Sequence, residues 1–200
     1  MTSAALASTG VTPFTSAPLW YLTRSTGVMA FVLITLTLVL GIAATQRALA
    51  SPHWPRFATQ TLHRNISLLG LALLVVHVAT TVLDSFVNVG WTSVLVPFTS
   101  SYKRFGVGLG ALALDLLLLV AATSLIRLRL PAKLWRGIHL TAYAMWPVSL
   151  LHFLLTGTDA KAGQFGLWLG VGASALVGAG AAVRLVTSRQ LPGPVASIVR

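Results

Sequence analysis

Four histidines stand in this chain as two spaced pairs, His63 with His77 and His139 with His152, each pair within one apolar stretch. An imidazole held in hydrocarbon is unfavourable without a partner, and it is also the commonest metal ligand. Thirteen or fourteen residues separate the members of each pair. On a helix rising ~1.5 Å per residue, that is a separation of about 20 Å. Two helices that each carry histidines at two matching depths point to two stacked haems, each iron taking one imidazole from each helix. An iron with both axial positions filled is suited to passing electrons. Zinc or copper fits less well, because no carboxylate or thiol accompanies the histidines. The rival reading makes them interhelical hydrogen-bonding groups with no metal. The fifth histidine, His53, lies in a proline-flanked loop and reads as solvated.

The elements that must position these rings are membrane spans. The chain is 56% hydrophobic and only 8% charged, with a mean hydropathy of +0.84. A bilayer crossing needs roughly 20 mostly apolar residues, and five stretches qualify: Leu19–Ala44, His63–Leu83, Phe105–Ile126, Leu134–Leu155 and Phe165–Val186. The expected fold is all-α, an integral membrane bundle of five transmembrane helices. Its expected parts are a disordered extracytoplasmic tail over 1–18, the bundle over 19–187 and a cytoplasmic tail over 188–200.

The net charge of +11 does not indicate nucleic acid, because of where the charges fall. Arg47, Arg56 and Arg64 follow the first span, and Arg127, Arg129, Lys133 and Arg136 lie between the third and fourth. Arg184, Arg189 and Arg200 follow the fifth. The positive-inside rule then predicts an outer N-terminus and a cytoplasmic C-terminus in a multi-pass protein of the cell (plasma) membrane. With no cysteine in the chain, disulfides, thiolate ligands, iron–sulfur clusters and covalent haem attachment are excluded. Any haem is therefore held through histidine.

Spans two and four are separated by one span and run in the same direction. His63 and His139 then share the inner level, and His77 and His152 the outer. Fourteen residues at ~100° each leave His63 and His77 within about 40° of one face. Thirteen leave His139 and His152 about 140° apart on an ideal helix. Pro147, between them, removes one helical hydrogen bond, and a loosened turn there is expected to correct the phase.

Around the histidines, Arg64 and Arg136 flank the inner level and are candidate partners for haem propionates, with ordinary positive-inside charge an equal rival. Lys103, Arg104 and Lys161 are candidates for the outer level. Arg24 and Asp115 are the charges expected in or near hydrocarbon, and a buried ion pair between them is expected. Arg24 beside a propionate and Asp115 in a proton path or quinone site are the alternatives. Asn65 and Tyr143 near the inner level are read as packing or as haem or quinol contacts. Trp91–Phe98 is too apolar for a solvated loop and too short to span, so it is expected in the interface, over the outer end of the bundle. Gly166-x-x-x-Gly170 is expected to permit close helix contact, more with a neighbouring helix than with a second copy.

The chain resembles the ferric reductase-like transmembrane family. The resemblance is carried by His63-x13-His77, His139-x12-His152 and Arg-Ser-Thr-Gly27 opening the first span. It also rests on Trp135-Arg-Gly-Ile-His139-Leu-Thr-Ala-Tyr143 leading to Trp146-Pro147 and His152, and it covers nearly all of Leu19–Leu155. The resemblance implies two b-type haems and electron flow from the cytoplasmic face outward. Departures are the five spans, where six are usual, and the lack of the flavin and NAD(P)H-binding domain that oxidase members carry. No Gly-rich dinucleotide fingerprint is present. The expected protein is an oxidoreductase subunit without its own flavin domain. Its donor would be a cytoplasmic flavin reductase or quinol, and its acceptor extracytoplasmic ferric iron or a partner redox protein. The alternative from another class is a haem-free membrane scaffold or assembly protein.

Overall fold

The computed structural model describes residues 16–45, 56–84, 89–160 and 163–190. Described residues form helices and connecting turns, with no strand among them. Helix α1 is Ser16–Ala44, α2 Arg56–Leu83, α3 Trp91–Leu95 and α4 Arg104–Leu125. A 3-10 turn at Arg127–Arg129 leads into α5, Ala132–Leu140, then α6, Ala142–Thr156, and α7, Phe165–Gln190. Among the described residues, five segments are long and apolar enough to cross a membrane: Pro18–Ala44, Phe57–Leu83, Arg104–Leu125, Ala132–Thr156 and Phe165–Thr187. The all-α bundle of five spans is thus the observed fold. Lys161, His53 and both chain tails beyond these ranges lie outside the described residues.

The second span begins earlier than hydropathy predicts. Helix α2 starts at Arg56, directly after Pro55, so His63 sits inside the helix rather than at its first residue. The polar run Arg56-Phe-Ala-Thr-Gln-Thr61 lowers the apolar signal without breaking the helix. At the other end of the chain, α7 continues to Gln190, past the predicted stop at Val186.

Helix α1 is central: it packs chiefly on α2, and also on α6 and α7, while α4 packs on α6, α5 and α3. The core between α1, α6 and α7 is built on Phe31, Trp146 and Ala173. Phe31 stacks on Phe153 at 4.8 Å between ring centres and on Trp146 at 6.4 Å. Trp146 Nε1 donates to Thr35 Oγ1 at 3.0 Å, and that hydroxyl donates to the Phe31 carbonyl at 2.9 Å. Other hydroxyls also bond one turn back, Thr80 to Val76 and Thr123 to Leu119. In this way polar side chains are tolerated where no water reaches.

The fourth span is two helices, not one. The break falls at Thr141, whose N–H bonds Ile138 three residues back at 3.0 Å. Pro147 sits inside α6, six residues further on, so the expectation of a loosened turn at the proline is corrected. The change of segment between His139 and His152 removes the phase conflict of a single ideal helix.

At one end of the bundle the segment Val89–Lys103 folds over the helices. Val89, Ser93 and Ser100 are buried, while Trp91 and Leu95 are exposed. Phe98 takes a left-handed conformation, φ 66°, and lies against Gly108, where a Cβ would clash with its ring. In α7, Gly166 lies against the backbone of Asp159 and Gly170 against Leu154 and Leu150. Both glycines of the small-residue motif therefore pack within the chain.

Candidate functional site

Helices α2 and α5–α6 bring the four histidines together as two facing pairs. The rings of His63 and His139 have centres 6.3 Å apart, and those of His77 and His152 are 6.4 Å apart. A metal about 2 Å from a nitrogen of each of two opposed imidazoles leaves ring centres about 6 Å apart. Both separations match that geometry. Among the described residues no group of three or more His, Cys, Asp or Glu gathers. Two opposed imidazoles alone cannot complete a zinc site, which wants four ligands. They suit a metal whose remaining ligands come with it in a plane between the rings, as in haem.

Three of the rings are fixed by backbone carbonyls. His63 Nδ1 donates to Thr37 O at 2.9 Å, His77 Nδ1 to Thr23 O at 2.8 Å, and His152 Nδ1 to Gly106 O at 2.8 Å. A carbonyl only accepts, so the proton sits on Nδ1 and the lone pair on Nε2 is free. Four residues after each accepting carbonyl stands a glycine. A Cβ on Gly27 would lie 2.8 Å from the His77 ring, one on Gly110 2.5 Å from His152, and one on Gly41 3.3 Å from His63. Helix α1 thus repeats a carbonyl-and-glycine cradle after fourteen residues, the same spacing as His63 and His77 on its antiparallel neighbour.

The fourth cradle departs from this pattern. Fourteen residues beyond Gly110 stands Ser124, not glycine. His139 Nδ1 is 3.5 Å from Ser124 Oγ, a longer contact with a weaker acceptor. Trp135 stacks on His139 at 5.1 Å, with the Arg127 guanidinium 5.5 Å over the indole ring. The indole Nε1 of Trp135 is buried without a hydrogen-bond partner, as are Thr23 Oγ1 and Thr37 Oγ1 beside the other rings. A buried donor without a partner is costly, and an anionic group at this level would satisfy it. The cradles, free Nε2 atoms and orphan donors fit haem.

At the His77–His152 level the pair opens into a cavity of about 270 Å³ that also reaches Trp20, Arg24, Asp84 and Ser93. Arg24 stands at its edge, ion-paired to Asp159 and 4.9 Å over the Trp20 ring. The expected Arg24–Asp115 pair is therefore corrected. Asp159 lies in the turn after α6 at the same end as Arg24, whereas Asp115 is deep in α4.

The remaining sequence candidates are more dispersed. Arg64 and Arg136 sit beside their histidines and are exposed, as is Asn65. Lys103 Nζ donates to the α6 carbonyls of Thr156 at 3.1 Å and Leu155 at 3.4 Å, and Arg104 Nε donates to Phe98 O at 2.6 Å. Both cations hold the end of the bundle together. Tyr143 receives a hydrogen bond from Arg184. Sequence reasoning missed Thr23, Thr37, Gly41, Gly106, Gly110 and Ser124, and it named Trp135 only as part of the family motif, with no role at the site. The available signal was the Thr23–Gly27 and Thr37–Gly41 repeat, in step with the histidines.

A family model described as "Ferric reductase like transmembrane component" matches residues 26–150, which hold His63, His77 and His139, with His152 two residues beyond the match. No curated protein and no solved structure matches the chain. With well over half of its length matched, the chain belongs to the ferric reductase-like transmembrane family.

Proposed function

We propose that this chain carries electrons across the membrane on two b-type haems, one held by His63 and His139 and the other by His77 and His152. The carrying observation is the doubled geometry: two opposed imidazole pairs, 6.3 and 6.4 Å between ring centres, at two levels of one bundle. Family membership supports an electron-transfer role. Bound haem supplies a one-electron carrier that the amino-acid side chains lack.

The protein's own part is positional. The carbonyls of Thr23, Thr37 and Gly106 hold Nδ1–H and aim Nε2 inward, and the glycines let the rings lie against the helix backbone. Trp135 Nε1, with Arg64, Arg127 and Arg136 nearby in sequence or space, offers donors and positive charge to anionic groups at the His63–His139 level. Among the described residues, no side chain at either level is arranged as a nucleophile or a general base. A haem-free scaffold would have no use for two opposed histidine pairs in which three of the four tautomers are preset by backbone carbonyls.

The charge distribution supports an N-terminus outside and the His63–His139 level toward the cytoplasm, in the plasma membrane. In that orientation the donor is a cytoplasmic flavin reductase or membrane quinol. The acceptor is ferric iron or a partner redox protein on the outer side, where the cavity at His77 and His152 opens. The chain then serves as the membrane subunit of an oxidoreductase.

The test is transmembrane transfer in vesicles that enclose ferricyanide, with dithionite added outside. Vesicles carrying the haem-loaded protein should reduce the enclosed ferricyanide, and those carrying H77A/H152A should not. Equal rates in vesicles without protein would contradict the proposal.

A further inference from the structure

Asp115 is a carboxyl group in the middle of a membrane span with nothing in the described chain to satisfy it. It lies eleven residues from Arg104 and ten from Leu125, about 15 Å from either end of α4. Among the described residues it has no hydrogen bond and no ion pair, because Arg24 is taken by Asp159. A carboxyl group in hydrocarbon without a donor or a cation is strongly unfavourable, and such residues pair or mark function.

Its direction is set by helix phase. Asp115 is nine residues from Gly106 and nine from Ser124, the α4 residues with polar contacts to His152 and His139. Nine residues at ~100° each place it about 180° from both. It therefore lies on the face of α4 opposite α6 and the histidines. A proton path or quinone site at the histidine levels is not where it points. Along the same face run Leu119, 46% exposed, and Ala122, also exposed, and Ile126, 46% exposed, follows at the end of the helix. Helix α4 packs on α3, α5 and α6, and this stripe is left outward.

A second copy of the chain is a poor occupant. The basic residues of the described spans sit at the histidine levels or beyond them: Arg24 beside Thr23, Arg64 beside His63, and Arg184 bonded to Tyr143. None lies at the depth of Asp115, and two facing copies of Asp115 would bring like groups together. Charge complementarity calls for a cation from elsewhere.

We propose that the α4 face running from Asp115 toward Leu125 docks a transmembrane helix of another subunit that carries a lysine or arginine at mid-depth. Leu119 and Ala122, with Ile126 at the end of the helix, supply the packing surface, and the small Ala122 lets the helices approach. This inference does not depend on haem.

The test uses the full chain in lipid vesicles with two synthetic Leu/Ala transmembrane peptides, one with a central lysine and one without. Energy transfer between labelled protein and peptide reads association. Wild type should associate with the lysine peptide more tightly than with the plain one, by roughly three-fold or more. D115L should lose that difference while keeping its helical circular dichroism. D115N, which keeps the shape, serves if D115L does not fold, and should also lose most of the preference. D115K should prefer a peptide with central aspartate. Equal association of both peptides with wild type overturns the proposal. So does self-association of the wild-type chain that D115L abolishes, since it would make a second copy the occupant.

Discussion

His77 Nδ1 lies 2.8 Å from the carbonyl oxygen of Thr23, and His63 repeats that relationship with Thr37 fourteen residues along both helices. The repeat makes α1 a template for the two histidines of α2. Each accepting carbonyl is followed, one turn later, by a glycine against which the ring lies. Helix α4 offers the same unit to His152 through Gly106 and Gly110, and a modified one to His139 through Ser124.

The glycines should therefore rank by the room they leave. A Cβ at Gly110 would come within 2.5 Å of His152, at Gly27 within 2.8 Å of His77, and at Gly41 within 3.3 Å of His63. We expect G110A to lose the haem of that level, G27A to weaken it, and G41A to retain haem at the other level. Haem-to-protein ratios of the purified variants check the order, and equal loss in all three would contradict it.

Ser124 should tune one haem only. A strong acceptor on Nδ1–H makes the opposite nitrogen a better donor to iron and favours the oxidised form. Ser124 Oγ, at 3.5 Å from His139, is the weakest acceptor of the four. Removing it in S124A should raise the midpoint potential of the His63–His139 haem and leave the other unmoved. A potentiometric titration followed by absorbance reads both; no shift at either would remove Ser124 from the site.

The spans and the paired histidines were legible in the sequence because apolar length and histidine spacing are local signals. Their depth matching followed from topology alone. What was not legible depends on facing surfaces. A backbone carbonyl carries no residue signature, so Thr23, Thr37 and Gly106 became visible only once α1 and α4 lay beside the histidines. The Arg24 pairing went astray because depth along a helix does not report its face: Asp115 lies near mid-span but points away, while Asp159 in a short turn reaches Arg24. The break at Thr141 was hidden by Pro147, the stronger local marker of irregular helix.

The Arg24–Asp159 pair should add little to stability. The two side chains are 30% and 43% exposed, and pairs of that exposure contribute up to about 1 kcal/mol. A double-mutant cycle of R24A and D159A in detergent unfolding should give a coupling below that value. A coupling several times larger would mean that the pair fixes the cavity mouth.

Trp146→Phe should cost more. It keeps an aromatic ring on Phe31 but removes the 3.0 Å bond to Thr35 in the core between α1, α6 and α7. A lost buried hydrogen bond is worth about 1 kcal/mol. Thermal unfolding should show the decrease, and T35V should produce a similar one.

The central claim is two haems, one per histidine pair. A reduced-minus-oxidised absorption spectrum with haem quantified per chain, on protein purified after expression with ample haem, tests it most directly. The account predicts a low-spin b-type spectrum with two haems in the wild type, and one each in H63A/H139A and H77A/H152A. Wild-type protein without haem, or paired variants that keep both haems, would contradict it.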